Sequence, residues 1–245
     1  MNKEQIVLTG VPGVGKSRYT KTLTESGKFA DSLTIQFHAN YSYEDFIGAE
    51  VLRSEDGGTY VTTKQGVFLK YIEKVKSDSD KSNKYLLVID ELNRGNIAEI
   101  FGESILALDR NYEASLSKEY EDVGTLSIPH NLYIVATMNT SDRNIAFLDL
   151  AIRRRFAFVP LLPNYDFLSE EVIFQDFDLG NILKQINQRI IDTLKDPELI
   201  LGQSYFIPKT NEPGKYIWEA NDFKNQFNFV LLPTLREYSF NNASA

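Results

Sequence analysis

Gly10-Val11-Pro12-Gly13-Val14-Gly15-Lys16-Ser17 reads G-x-x-x-x-G-K-S, a complete phosphate-binding P-loop. The run before it, Gln5-Ile6-Val7-Leu8-Thr9, is short, apolar and β-branched, as a buried strand should be. The run after it, Arg18 to Ser26, has helical composition and stops at Gly27. Strand, loop and helix together are the context that gives the motif its meaning. Gly13 and Gly15 let the backbone curl so that successive N–H groups face a polyphosphate. The helix starting near Lys16 adds the positive end of its dipole. Lys16 is suited to reach the β and γ oxygens, and the Ser17 hydroxyl to ligate Mg²⁺.

Outward from this loop, strand and helix signals alternate as far as Pro163, which predicts an α/β core with a parallel sheet and flanking helices. Leu33 to Phe37, Tyr85 to Ile89, Leu132 to Thr137 and Phe156 to Val159 read as further strands. Turn chemistry at Ser54 to Thr59, between Val51-Leu52 and Tyr60 to Thr62, predicts a β-hairpin. Polar hairpin character recurs over 116–128. The spacing of Val67, Phe68, Tyr71, Ile72 and Val75 predicts a helix, and that of Ile97, Ile100, Phe101, Ile105 and Leu108 predicts a second over 97–108. After Pro163 the alternation stops. Helices are expected over 179–194 and 223–238, the latter interrupted at Pro233. The boundaries are a core of 1–163 and a small, mostly helical unit of 164–245.

Three more clusters carry chemistry. Leu86-Leu87-Val88-Ile89-Asp90-Glu91 is an apolar strand ending in two carboxylates, the pattern called Walker B. The carboxyl ends of parallel strands line the ligand crevice, so Asp90 belongs beside Mg²⁺. Glu91 is suited to polarise a water for attack on the γ-phosphate. An acidic pair at a helix start also suits the helix dipole with no catalytic task. Asn139, ending the fourth strand in Met138-Asn139-Thr140-Ser141-Asp142-Arg143, can hydrogen-bond a γ-phosphate or its attacking water. Asp142 and Arg143 read equally as helix-capping surface residues. Asp149 precedes Arg153-Arg154-Arg155-Phe156. A planar guanidinium suits a γ-phosphate bidentately, yet composition alone favours a solvated basic run closing a helix.

The chain of 245 residues is 42% hydrophobic, has no cysteine and only two histidines, His38 and His130. Disulfides, thiolate metal sites and cysteine nucleophiles are excluded. A multi-histidine metal site is disfavoured. A net charge of −8 argues against a broad nucleic-acid-binding face. No apolar run approaches a membrane span, and the first strand starts too early for a signal peptide. The expected compartment is the cytoplasm, with no membrane association.

These clusters, in this order, resemble a AAA+ module. The narrower resemblance is to McrB, the GTPase motor subunit of McrBC modification-dependent restriction systems. It is carried by Asp90-Glu91-Leu92-Asn93-Arg94-Gly95-Asn96 (family D-E-I-N-R-A-N), by 138–143 (M-N-T-A-D-R), by Arg153 to Phe156, and by Leu201-Gly202-Gln203-Ser204-Tyr205-Phe206 (G-H-S-Y-F). The resemblance implies a helical lid over 164–245, Asn139 as sensor 1, and Asp142 with Asn139 as the N-T-x-D element. It makes Arg154 and Arg155 arginine-finger candidates acting in trans, and Asp149 an interface or sensor-supporting residue. It implies a hexamer with nucleotide between subunits and both hairpins facing the central pore. It further implies an McrC-like nuclease and activator subunit as partner, and DNA engaged through the assembly or a separate recognition domain. Gln203 stands where the family often has His, and Ser141 and Asn144 where Ala and Ser are commoner. There is no N-K-x-D guanine-reading motif, so GTP rather than ATP rests on resemblance alone. A MoxR-like ATPase that remodels proteins and a nucleotide-binding switch with little turnover are the alternative readings.

Overall fold

The computed structural model describes residues 4–55, 57–141, 150–209 and 216–242. In chain order the elements are β1 (Gln5–Gly10), α1 (Lys16–Thr24), β2 (Asp31–Gln36), α2 (Tyr43–Phe46), β3 (Gly48–Glu55), β4 (Gly58–Gln65), α3 (Val67–Ser77) and β5 (Tyr85–Asp90). Then come α4 (Ile97–Phe101), β6 (Ala114–Tyr120), β7 (Val123–Leu126), β8 (Leu132–Asn139), α5 (Leu150–Arg153) and β9 (Ala157–Pro160). The remainder is α6 (Tyr165–Glu171), β10 (Val172–Ile173), α7 (Leu179–Leu194), β11 (Tyr216–Ile217), α8 (Ala220–Gln226) and α9 (Leu232–Asn242). Five strands form one sheet in the order β2-β5-β8-β1-β9. Pairing is parallel from β2 to β5 and from β5 to β8.

This order creates a switch point. After β1 the chain crosses toward the β2 edge, and after β8 it crosses the other way, to β9. Loops leaving neighbouring strands in opposite directions open a crevice at the carboxyl ends of β1 and β8. The P-loop begins there.

The chain divides into two compact units. The first holds most of the sheet, its flanking helices and both hairpins. Its core needs β5 to be apolar throughout, because Tyr85 to Ile89 are all buried. Helix α3 turns Phe68, Leu69, Tyr71, Ile72 and Val75 inward at helical spacing. An aromatic knot sits at the centre: the Phe46 ring stacks on Phe68 with centroids 4.5 Å apart and tilts over Phe101 at 4.8 Å. The hairpin β3–β4 pairs Val51 with Thr62 and Leu52 with Val61. The β6–β7 hairpin lies against it: Gln65 Nε2 donates to the Tyr120 carbonyl and the Glu121 amide donates to Thr63 Oγ1.

The second unit has its own core around Leu168, Leu179, Leu183, Phe206 and Trp218. Helix α7 spans Leu179–Leu194, with Asp178 accepting from the Asn181 amide as N-cap. It buries Leu179, Leu183, Asn187 and Ile190 along one stripe. This unit also contains residues 9–16 and 139–141.

Two expectations are corrected. The helix expected over 97–108 is broken: α4 ends at Phe101 and a 3₁₀ segment continues from Gly102 to Leu108. Gly102 has φ +49, and a Cβ there would lie 2.8 Å from the Tyr43 ring. The kink sets Glu103 to accept from the Tyr43 hydroxyl and the Ser117 amide. At the C-terminus Pro233 does not interrupt a helix but lies in the first turn of α9. A π-helical stretch, Phe227–Leu231, precedes it. The wider turn accommodates the missing proline N–H, and the Thr234 hydroxyl donates to the Val230 carbonyl one turn back.

Candidate functional site

The P-loop has the backbone its glycines foretold. Gly13 and Gly15 have φ +83 and +94, where any other residue is strained. Lys16 is buried and its Nζ donates to the carbonyls of Gly10, at 2.8 Å, and Val11, at 3.1 Å. The ammonium is thus drawn back over the loop that would hold the phosphates. Ser17 lies in the first turn of α1 and is exposed. Asn139 is buried, and one residue on, the Thr140 amide donates to the Gly10 carbonyl. The structure therefore joins the end of β8 to the loop that leaves β1.

The acidic tip of β5 is held by a residue that the sequence reading passed over. Thr137, buried in β8, donates its hydroxyl to Asp90 Oδ1 and accepts from the Glu91 amide at 3.0 Å. One hydroxyl thereby sets both carboxylate-bearing residues. Glu91 has φ +55 and ψ +47, a left-handed conformation that costs a non-glycine residue about 1–2 kcal/mol. Its carboxylate lies 3.2 Å from Arg94 Nε. Such strain persists only where the surrounding structure over-determines the conformation.

The arginine run separates into different roles. Arg153 lies over the Phe158 ring, 5.8 Å from its centroid. Arg154 is exposed. Arg155 is 7% exposed; its guanidinium donates to the Ala151 carbonyl and its own carbonyl accepts from Gln5 Nε2. Arg110 sits nearby, donating to Gln5 Oε1 and the carbonyls of Pro129 and Leu132. Burial lowers its pKa to about 10. Arg154, Arg110, Tyr112 and His130 line a cavity of about 540 Å³. None of residues 9–17 borders that cavity, so its size does not make it the phosphate site. Asp142 and Asp149 lie outside the described residues. Among the described residues no His, Asp or Glu cluster is built to hold a metal by itself.

Residues 5–156 match the AAA domain (dynein-related subfamily). The chain belongs to that family. Residues 178–245 match the McrB alpha-helical lid domain, so this AAA chain is McrB-like in both parts. It is 33% identical over 223 residues to the type IV methyl-directed restriction enzyme EcoKMcrB subunit of Escherichia coli, covering 83% of this chain and 47% of that protein. It is 25% identical to the type II restriction enzyme BsuMI component YdiS of Bacillus subtilis, covering 92% of this chain and 77% of that one. The AAA chain therefore spans about half the length of the first relative. A solved chain from Cytophaga hutchinsonii, a putative ATPase, aligns over 92% of this chain and 76% of that one at a TM-score of 0.41 and 17% identity. No described helix is long and apolar enough to cross a membrane.

The residues present fit a magnesium-bound triphosphate. Gly13 and Gly15 take the positive φ that lets successive N–H groups of the loop face an anion. A hydroxyl and a carboxylate, Ser17 and Asp90, are the hard oxygen donors that Mg²⁺ prefers.

Proposed function

We propose that this chain is a AAA+ nucleoside triphosphatase motor that hydrolyses GTP. It drives DNA translocation for a McrBC-like restriction endonuclease whose nuclease is a separate subunit. The observation that carries the reading is the complete P-loop, with Lys16 set over it, in a chain whose two parts match a AAA domain and an McrB lid. The working division is a core of 1–163 and a lid of 164–245.

In this reading the amides of the glycine loop and Lys16 bind the β and γ oxygens. Ser17 and, through water, Asp90 would hold Mg²⁺, which would supply charge neutralisation there. Glu91 orients the attacking water and takes its proton, and Asn139 contacts the γ-phosphate. Asp142 and Asp149 serve the activation element and the subunit interface. An arginine from a neighbouring copy completes the charge, and exposure favours Arg154 over Arg155 for that task. Hydrolysis then depends on assembly into a closed ring of six with an McrC-like activator.

The test is turnover of GTP and ATP by the assembled protein, with and without the nuclease subunit. GTP should be preferred and the nuclease subunit should stimulate. Glu91→Gln should retain nucleotide and lose hydrolysis, while Lys16→Ala should lose about 2 kcal/mol of binding. A preference for ATP with no response to the nuclease would favour a protein remodeller instead. Tight binding without turnover in the assembled form would make the chain a switch.

A further inference from the structure

The P-loop is tied by its outer side to one turn of the second unit. The Gly202 amide donates to the Pro12 carbonyl at 3.1 Å, and the Ser204 amide to the Gly13 carbonyl at 2.9 Å. Between them, Gln203 Nε2 donates to the Val14 carbonyl at 2.9 Å. Three successive loop carbonyls thus meet donors from three successive residues. In a trans peptide the C=O of one residue and the N–H of the next point in opposite directions. Holding the carbonyls of Pro12, Gly13 and Val14 therefore aims the amides of Gly13, Val14 and Gly15 away from the turn. Those amides are the ones a phosphate needs.

The turn is itself fixed from behind. Gln203 Oε1 accepts from the Asn164 amide at 3.2 Å, so both ends of its carboxamide are committed. Asn187, buried on α7, accepts from the Leu201 amide and donates to the Leu201 carbonyl and the Tyr165 hydroxyl. Gly202 has φ −79, which any residue adopts. A Cβ there would nonetheless lie 2.1 Å from the Gly13 carbonyl carbon. Glycine is required at 202 by the closeness of the two backbones, not by its own conformation.

We propose that Gln203, with Gly202 and Ser204, is a positioning residue for triphosphate binding: it orients the P-loop peptides, and Asn187 makes that orientation depend on the packing of α7. The proposal rests on the reading of residues 10–17 as the nucleotide site. An ordered set of amides binds a triphosphate without first having to reorganise, so loosening them weakens affinity.

The experiment measures equilibrium affinity of the full chain for GMPPNP and AMPPNP, together with thermal unfolding of the nucleotide-free protein. Gln203→Met keeps length and removes both hydrogen bonds. Its affinity for the preferred analogue should fall about tenfold, the effect of losing about 1.4 kcal/mol, with the nucleotide-free protein still folded at the temperature of the measurement. Gln203→His, which keeps a ring N–H donor, should recover most of the loss. Gly202→Ala should weaken binding at least as much by pushing the turn off Gly13. Unchanged affinity in Gln203→Met and Gly202→Ala, with Lys16→Ala defective, would overturn the proposal while leaving the nucleotide site standing. Histidine no better than methionine would overturn it too, because packing rather than hydrogen bonding would then explain the loss. Absence of analogue binding by the unaltered protein would remove the site reading and this proposal together.

Discussion

Thr137 is the side chain on which the acidic tip converges. Removing its hydroxyl takes one hydrogen bond from a carboxylate and another from an amide. Thr137→Val keeps the shape, but Asp90 loses its donor and the Glu91 amide its acceptor. Each such loss costs on the order of 1–3 kcal/mol, and the two carboxylates lose their common reference. Turnover should fall at least tenfold, and Thr137→Ser should restore it; steady-state kinetics on the assembled protein decides. If valine is as active as threonine, the hydroxyl only fills space. At this scale the sequence was legible where chemistry is local. Lys16, Ser17, Asp90 and Glu91 sit in contiguous motifs whose meaning lies in their own spacing. Thr137 and Gln203 were not legible as working residues, because their partners are 46 and 189 positions away. No periodicity encodes a contact of that kind. Gln203 was visible only as a departure from a family pattern, with no hint of what its amide holds.

Elements followed the apolar pattern wherever a single face is buried. Helix α7 spans the expected 179–194, because its stripe meets a core and its cap is a local aspartate. The 97–108 segment kept its stripe but not its geometry, since Gly102 bends the chain to carry Glu103 toward Tyr43. Periodicity reports which residues face inward and is silent about a glycine that turns left. Gly102→Ala should therefore destabilise the fold by about 2 kcal/mol, from backbone strain and the clash with Tyr43. Denaturant unfolding measures it; a shift below a few tenths would mean that the kink relaxes at no cost. The π-helical stretch ahead of Pro233 was equally hidden, because proline predicts that a hydrogen bond is missing, not how the neighbouring turn absorbs it.

At the scale of the molecule, the two best candidates for a trans contact part company. Arg155 is inside, bonded to Ala151 and, through its carbonyl, to Gln5, whereas Arg154 is outside. Arg154→Ala should leave nucleotide binding by isolated subunits intact and slow turnover of the assembly by about 100-fold or more, as for an arginine supplied in trans. Arg155→Ala should instead lower stability, by about 3 kcal/mol for a partner lost from a buried network. Thermal unfolding and concentration-dependent turnover separate the two; equal turnover loss with equal stability would refute the division. The molecule also has two cores, and its only tryptophan lies in the second. Trp218 is 9% exposed and its indole N–H donates to the Phe206 carbonyl, two residues beyond Ser204 in the chain. Excited at wavelengths that spare the tyrosines, this ring is a built-in optical probe of one half of the protein. Its emission should respond when a triphosphate is taken up, with no dye attached.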